Sequence, residues 1–228
     1  VLVCYSGGID SATVLAAAHR ALGARAVGMT AVSPSLPQSE HEDAVRIARE
    51  IGAEHRLVNS AELSREGYVA NGPDRCFHCK SELYELAEQR RAEWQLDCVL
   101  NGTNLDDLGD YRPGLEAARL ANVRSPFVEL GFTKADVRAV AKELGLGSWD
   151  KPAAACLSSR IPYGTSVTPE RLSQVGGLEA ELRALGCRRS RVRYHDKLAR
   201  IELDLEDLPR LVEPQMREAV VKPCKTHG

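Results

Sequence analysis

The sequence predicts an α/β protein: a doubly wound, mostly parallel sheet followed by a small C-terminal α+β module. Three observations carry this. The chain opens on an apolar run, a Gly-rich turn and a helical pattern, Val1-Leu2-Val3-Cys4-Tyr5-Ser6-Gly7-Gly8-Ile9-Asp10-Ser11. Short apolar runs then alternate with amphipathic stretches of helical length, as strands joined by crossover helices do. Near Asp150 the texture changes to an irregular stretch, then to a helix–strand–strand–helix pattern. The expected units are therefore residues 1–149 and 150–228.

In chain order, Val1–Tyr5 reads as a strand and Ile9–Leu22 as a helix with Val14, Leu15 and Leu22 among its apolar positions. Arg25–Val32 is a second strand, closed by the turn-rich Ser33-Pro34-Ser35-Leu36-Pro37. Glu40–Ile51 is amphipathic, with Ala44, Val45, Ile47 and Ala48 on one side. His55–Val58 is a third strand, Lys80–Glu93 a helix, Asp97–Leu100 a fourth strand and Thr133–Leu144 a further helix. Beyond Trp149-Asp150-Lys151-Pro152 an irregular run extends to Pro169. A helix over Glu170–Leu185 follows, then strands Cys187–His195 and Leu198–Asp204 about a turn at Asp196-Lys197, and a helix over Leu208–Val220. Ligands of such sheets sit at the carboxyl ends of the strands. The Ser6 loop, Thr30-Ala31 and Asn101-Gly102-Thr103 all fall at that edge and form one candidate pocket.

The composition bounds the function. The chain has 228 residues, 43% hydrophobic and 27% charged, ordinary for a soluble globular protein. No apolar stretch approaches the ~18 residues of a membrane span, and the start carries no signal-peptide pattern. The sequence opens inside its first strand, so residues before Val1 are expected to be missing. A net charge of −2 argues against nucleic-acid binding, which needs a Lys/Arg excess. Seven unevenly spaced cysteines are unlike a disulfide framework and fit a reducing cytoplasm.

The opening loop carries the chemistry. Gly7 and Gly8 let the backbone close tightly on an anion, and successive N–H groups with the positive end of the helix hold it. Ser6 and Ser11 add hydroxyl donors. No G-x-x-x-x-G-K-[ST] occurs, so this is not the common ATPase phosphate loop. The spacing S-G-G-x-D-S resembles instead the pyrophosphate loop of the PP-loop ATP pyrophosphatases, which have a HUP-like fold and cleave ATP between the α and β phosphates to make adenylates.

A second constellation lies in Cys76-Phe77-His78-Cys79-Lys80 and Cys156-Leu157-Ser158-Ser159-Arg160. Thiolates at C-x-x-C spacing at a helix start can point at one ion or cluster, and a helix N-terminus lowers thiol pKa. Zinc wants four Cys/His ligands, and His78 is a poorly placed fourth. Inert burial suits Cys4, Cys98 and Cys187, which lie in apolar strands. An iron–sulfur cluster with three protein ligands, or a sulfur-delivering thiol set, is the third reading. Beside an adenylating loop, either is what sulfur insertion needs.

On the hairpin, period-2 geometry sends Arg189, Arg191, Arg193 and His195 to one face, with Arg200, Glu202 and Asp204 sharing a face of the next strand. That is an anion socket or a solvated face of cross-strand ion pairs. Arg160 is another phosphate candidate. Lys80 is a candidate to neutralise phosphate, and Asp106 or Asp107 to hold Mg²⁺.

Several stretches together are similar to the LarE family of ATP-dependent sulfur transferases. They are Pro73-Asp74-Arg75-Cys76-Phe77-His78-Cys79-Lys80, Gly102-Thr103-Asn104-Leu105-Asp106-Asp107, Tyr111-Arg112-Pro113-Gly114, the run Lys151–Gly164 around Cys156, and Arg191-Val192-Arg193-Tyr194-His195. The resemblance covers essentially the whole chain. It implies conversion of a pyridinium biscarboxylic acid mononucleotide to its bisthiocarboxylic form, a precursor of the nickel-pincer cofactor of lactate racemase. ATP and Mg²⁺ would be used at Ser6, Gly7, Gly8, Asp10, Ser11, Thr30, Ala31, Lys80, Gly102, Thr103 and Asp106. Family members with one cysteine, matching Cys156, surrender its sulfur. Those with three hold a 4Fe-4S cluster, and Cys76, Cys79 and Cys156 place this chain with them. The resemblance further implies substrate phosphate at Arg191 and Arg193, a homo-oligomer of hexameric size, and sulfide or a cysteine desulfurase as the sulfur source. A tRNA thiolase, an ammonia-dependent synthetase and a nucleotide sensor share the loop. The first needs an RNA-gripping face, and the synthetase has no use for the three thiols.

Overall fold

The computed structural model describes residues 1–109, 113–152, 154–187 and 189–227. Tyr111, Arg112 and Ala153 of the motifs above, and Arg188 of the expected hairpin strand, lie outside the described residues. Four strands run parallel: β1 (Leu2–Cys4), β2 (Val27–Val32), β3 (Glu54–Asn59) and β4 (Val99–Leu100). Their spatial order is β3-β2-β1-β4. The chain winds outward from β1 through β2 to β3, then returns to the other side of β1. That reversal opens a crevice at the carboxyl ends of β1 and β4, where open α/β sheets bind ligands.

Helices α1 (Ile9–Leu22) and α2 (Gln38–Ile51) make the first two crossovers. Between β3 and β4 run α3 (Glu66–Val69) and α4 (Arg75–Glu93). Then come α5 (Pro113–Leu120), α6 (Pro126–Glu129) and α7 (Lys134–Glu143). Both faces of the sheet are covered, so β1 is apolar at every position. Its alternation sorts side chains between two cores. Val3 and Tyr5 join Leu15, Ile47 and Val137 on one face. Leu2 and Cys4 join Met29, Tyr84 and Val99 on the other. Each fully buried side chain of this size contributes about 1.5–3 kcal/mol.

The C-terminal region holds α8 (Pro169–Ala184), an antiparallel hairpin of β5 (Ser190–His195) and β6 (Leu198–Leu203), then α9 (Leu208–Leu211) and α10 (Pro214–His227). Its core of Leu157, Ile161, Val167, Leu172 and Val192 also takes in Tyr68 and the edge of Cys79. The irregular stretch after Asp150 is knitted back onto the sheet domain. Leu157 N–H donates to Ser35 O at 2.8 Å, and Val167 N–H to Val69 O at 2.9 Å.

Several element boundaries differ from expectation, among them β5, which starts at Ser190 rather than Cys187. The expected single helix over Leu208–Val220 is two, because Pro214 disfavours helical backbone at Glu213 before it. Helix α4 starts at Arg75 rather than Lys80, so the C-x-x-C lies in its first turns. Strand β4 has only two residues, Leu100 then bridging to Arg124. Among the described residues no helix is long and apolar enough to cross a membrane.

Candidate active site

The crevice between β1 and β4 deepens into a cavity of about 670 Å³, within the range of small-molecule sites. The loop from Ser6 to Ser11 forms one wall. Ser6 N–H donates to Ser11 Oγ at 3.1 Å, and Ser11 Oγ donates to Gly8 O at 3.1 Å, so the Ser11 hydroxyl ties the turn shut. Gly8 caps α1 with no side-chain hydrogen bond, leaving the first-turn amides available to an anion. Gly7 does not line the cavity. It takes φ +74°, and a Cβ there would stand 2.8 Å from Ala44 Cα, so the loop packs on α2 only with glycine. At Gly102 a Cβ would meet Ser11 N at 2.7 Å, which lets the end of β4 close on the start of α1.

Asp10 faces this cavity with both oxygens engaged. Asn104 Nδ2 donates to Oδ1 at 3.2 Å, and Lys134 Nζ, from the start of α7, pairs with Oδ2. A capping box at Thr133 and Asp136 sets the first turn of α7 and hence Lys134. Asp106 is not among the lining residues; its Oδ2 accepts Lys134 N–H at 3.0 Å. Asp107 does line the cavity. Thr30 and Ala31 line it at the end of β2. Thr30 Oγ1 donates to Tyr5 O at 2.7 Å, so it accepts at 2.8 Å from His55, whose Nε2 carries the proton.

The opposite wall carries the thiols. Cys76, Cys79 and Cys156 line the same cavity as the loop, together with Lys80. Cys4, read from sequence as an inert core thiol, is 9% exposed and lines it too. Burial pushes the Cys79 thiol up to about 12, with the Lys80 ammonium pulling the other way. Burial opposes the Lys80 charge, but Tyr84, Cys79, Cys4 and Cys156 outweigh it and raise its pKa. Solvent reaches Lys80 through the cavity although protein atoms surround it, so it stays a cation. Its side chain runs past Gly114, where a Cβ would be 2.9 Å from Lys80 Cγ.

A buried polar seam explains how two distant segments share this wall. Arg75 Nη1 donates to Asn71 Oδ1 at 2.6 Å and to Ser158 O at 2.8 Å. Tyr68 and Ser158 share a hydroxyl hydrogen bond of 2.5 Å. Glu62, buried at the cavity edge, accepts from Ser35 at 2.9 Å and Ser60 at 2.6 Å. Arg75 enters the sequence analysis only within the motif around Cys76, and Asn71, Tyr68 and Glu62 do not stand out there, because Ser158 and Ser35, which they or Arg75 bond, are remote in the chain. His78 turns elsewhere, against Gly67 and, at 3.2 Å, Asp74.

A second cavity of about 470 Å³ lies between α8, the hairpin and the residues Lys151, Pro152, Ala154 and Ala155, with Arg160, Arg183, Arg189 and Arg191 on its walls. Arg160 is committed to structure. Its Nε and Nη2 meet Glu179 at 2.9 and 3.1 Å, and Nη1 donates to Ala155 O at 2.7 Å and Cys156 O at 3.1 Å. Arg193 likewise pairs with Glu202 at 3.0 Å and donates to Ser159 O at 3.0 Å. Arg191 is exposed and makes no ion pair among the described residues. Among the described residues the hairpin face thus combines cross-strand pairs with an open guanidinium at Arg191.

Cys76, Cys79 and Cys156 line one cavity, and among the described residues no three His, Cys, Asp or Glu side chains are grouped to hold a metal ion.

No protein-family model matches the chain. An uncharacterised protein of Synechocystis is 47% identical over 227 residues, which is 100% of this chain and 85% of that protein. The pyridinium-3,5-bisthiocarboxylic acid mononucleotide synthase of Lactiplantibacillus plantarum is 41% identical over 204 residues, 89% of this chain and 74% of that protein. Among solved structures, the NH3-dependent NAD synthetase of Campylobacter jejuni, in complex with nitrate, shares the fold. Its TM-score is 0.52 at 18% identity, over 99% of this chain and 84% of that one.

Proposed function

The chain belongs to the LarE family of pyridinium-3,5-bisthiocarboxylic acid mononucleotide synthases, and we propose that it carries out ATP-dependent sulfur insertion into the matching biscarboxylic acid mononucleotide. It is an ATP-using enzyme that forms AMP and pyrophosphate. The observation that supports the specific reaction is the meeting of the Ser6–Ser11 loop with Cys76, Cys79 and Cys156 in one cavity.

A carboxylate resists attack because its charge is delocalised and oxide is a poor leaving group. Its oxygen attacks the α-phosphorus of MgATP, forming an acyl adenylate and releasing pyrophosphate. The free amides of α1 and the hydroxyls of Ser6 and Ser11 hold the departing phosphates. Lys80 adds positive charge, and carboxylates at Asp10 and Asp107 stand where Mg²⁺ would accompany the nucleotide. A sulfur nucleophile at the thiol wall then attacks the acyl carbon, and AMP leaves. Holding the reacting atoms within about 3–3.5 Å is the fold's main catalytic contribution. Cys76, Cys79 and Cys156 would hold a 4Fe-4S cluster, which supplies an iron without a protein ligand for a transferable sulfide. Arg191 receives the phosphate of the mononucleotide, with Arg193 bracing the Cys156 loop beside it.

The test is anaerobic protein with MgATP, the biscarboxylate mononucleotide and sulfide. AMP and pyrophosphate should appear in step with thiocarboxylate mass, Cys76→Ala should bleach the brown colour, and Arg191→Ala should raise KM for the mononucleotide more than for ATP. Release of AMP with tRNA and not with the mononucleotide would overturn the reading. A one-sulfur mass loss at Cys156 with colourless, active protein would replace the cluster by a consumed cysteine.

A further inference from the structure

The thiol wall ends on an aromatic ring that the steps above do not use. Tyr163 lines the main cavity with Cys76 and Cys156, yet it is 64% exposed. Its backbone is clamped. The fully buried Asn71 donates from Nδ2 to Pro162 O and Thr165 O, each at 2.8 Å. Gly164, at φ +81°, donates to Asn71 O at 3.1 Å, and Thr165 N–H closes the turn on Pro162 O at 3.0 Å. Asn71 itself sits at φ +56°, the left-handed region that asparagine tolerates better than most non-glycine residues. The Arg75 guanidinium stands 5.6 Å from the ring centroid. A clamped turn thus places a largely uncovered phenol ring on the lining of a ligand-sized cavity, with the Arg75 guanidinium near it.

Two rings enter this cavity on the reading above, adenine and pyridinium. The acyl carbon must come within about 3–3.5 Å of the sulfur donor, so the ring bearing the carboxylates is the one beside the thiols. That ring is formally cationic, and the face of a phenol is electron-rich. We propose that Tyr163 is a specificity-determining residue that stacks the cationic pyridinium ring of the acyl acceptor against the thiol wall. The site then selects a charged ring over a neutral one of the same shape. This rests on the functional reading above.

The probes are the pyridinium biscarboxylate mononucleotide and its neutral dihydropyridine form, titrated calorimetrically into the full chain. Tyr163→Leu should weaken binding of the charged form about three- to thirtyfold, with a much smaller effect on the neutral form and none on ATP. Tyr163→Phe should stay within about twofold of wild type, because the ring face is kept. Tyr163→Trp should show indole quenching on adding the charged form. A Leu variant that binds like wild type, or loses both forms equally, overturns the assignment of Tyr163 while pyridinium-dependent AMP release continues. Wild-type protein that neither binds nor adenylates the mononucleotide sinks the functional reading itself.

Discussion

Arg160 shows how a residue type can point to one job and its surroundings to another. From sequence, a guanidinium beside Cys156 is a phosphate ligand. In the fold its donors are spent on Glu179 and on the carbonyls of Ala155 and Cys156, with only 7% of the side chain exposed. It therefore positions the cysteine loop. Arg160→Met should leave the Glu179 carboxylate and two carbonyls buried without it, costing about 3–5 kcal/mol. At about 2–4 °C per kcal/mol for a domain of this size, Tm should fall by roughly 6–20 °C. Calorimetry checks this. An unchanged Tm with a raised KM for the mononucleotide would return Arg160 to the phosphate. Asn71 and Glu62 make the complementary point: each is essential to the seam, and nothing about either residue type in isolation signals it.

At the scale of elements, the strand–loop–helix opening was readable because every part of it is local. β1 is apolar throughout, the glycines permit the turn, and α1 begins where its pattern begins. What local pattern could not reveal is why Gly7 in particular is required. Gly7→Ala would combine a left-handed backbone with a contact 2.8 Å from Ala44 Cα on α2. Strain of about 1–2 kcal/mol and overpacking of about 1–3 kcal/mol should together cost about 2–5 kcal/mol. ATP affinity should fall with it, since the loop amides turn with the backbone. Denaturant midpoints and ATP titration test this, and a variant matching wild type in both would refute it. The start of α4 is hidden for the opposite reason: in its first turns, Arg75–Cys79, Phe77 is the only large apolar side chain, so the apolar period begins only after the helix does.

For the whole molecule, protonation links the nucleotide side of the sheet to stability. Burial, with the nearby charge of His41, lowers the pKa of His55, whose Nε2–H is held by Thr30. Below about 6.5 the unfolded imidazole binds a proton that the folded one resists, so stability falls as pH drops. Above that value both forms are neutral and the contribution of His55 is fully present. Wild type should lose more Tm than His55→Gln between about pH 7.5 and 5.5. Equal losses in the two proteins would exclude this role.

The order of strands and helices, the glycine loop at the start of α1 and the C-x-x-C at the start of α4 are properties of the chain read in one dimension, because each depends on neighbours a few residues away. The convergence of loop and thiols on a single cavity is not. It depends on β4 returning beside β1, and on Arg75, Asn71 and Tyr68 bonding to a segment some ninety residues downstream. Which arginines are spent on internal acceptors, as Arg160 and Arg193 are, and which stays exposed, as Arg191 does, was likewise decided only in three dimensions, because a guanidinium takes whichever acceptors packing brings within hydrogen-bond distance.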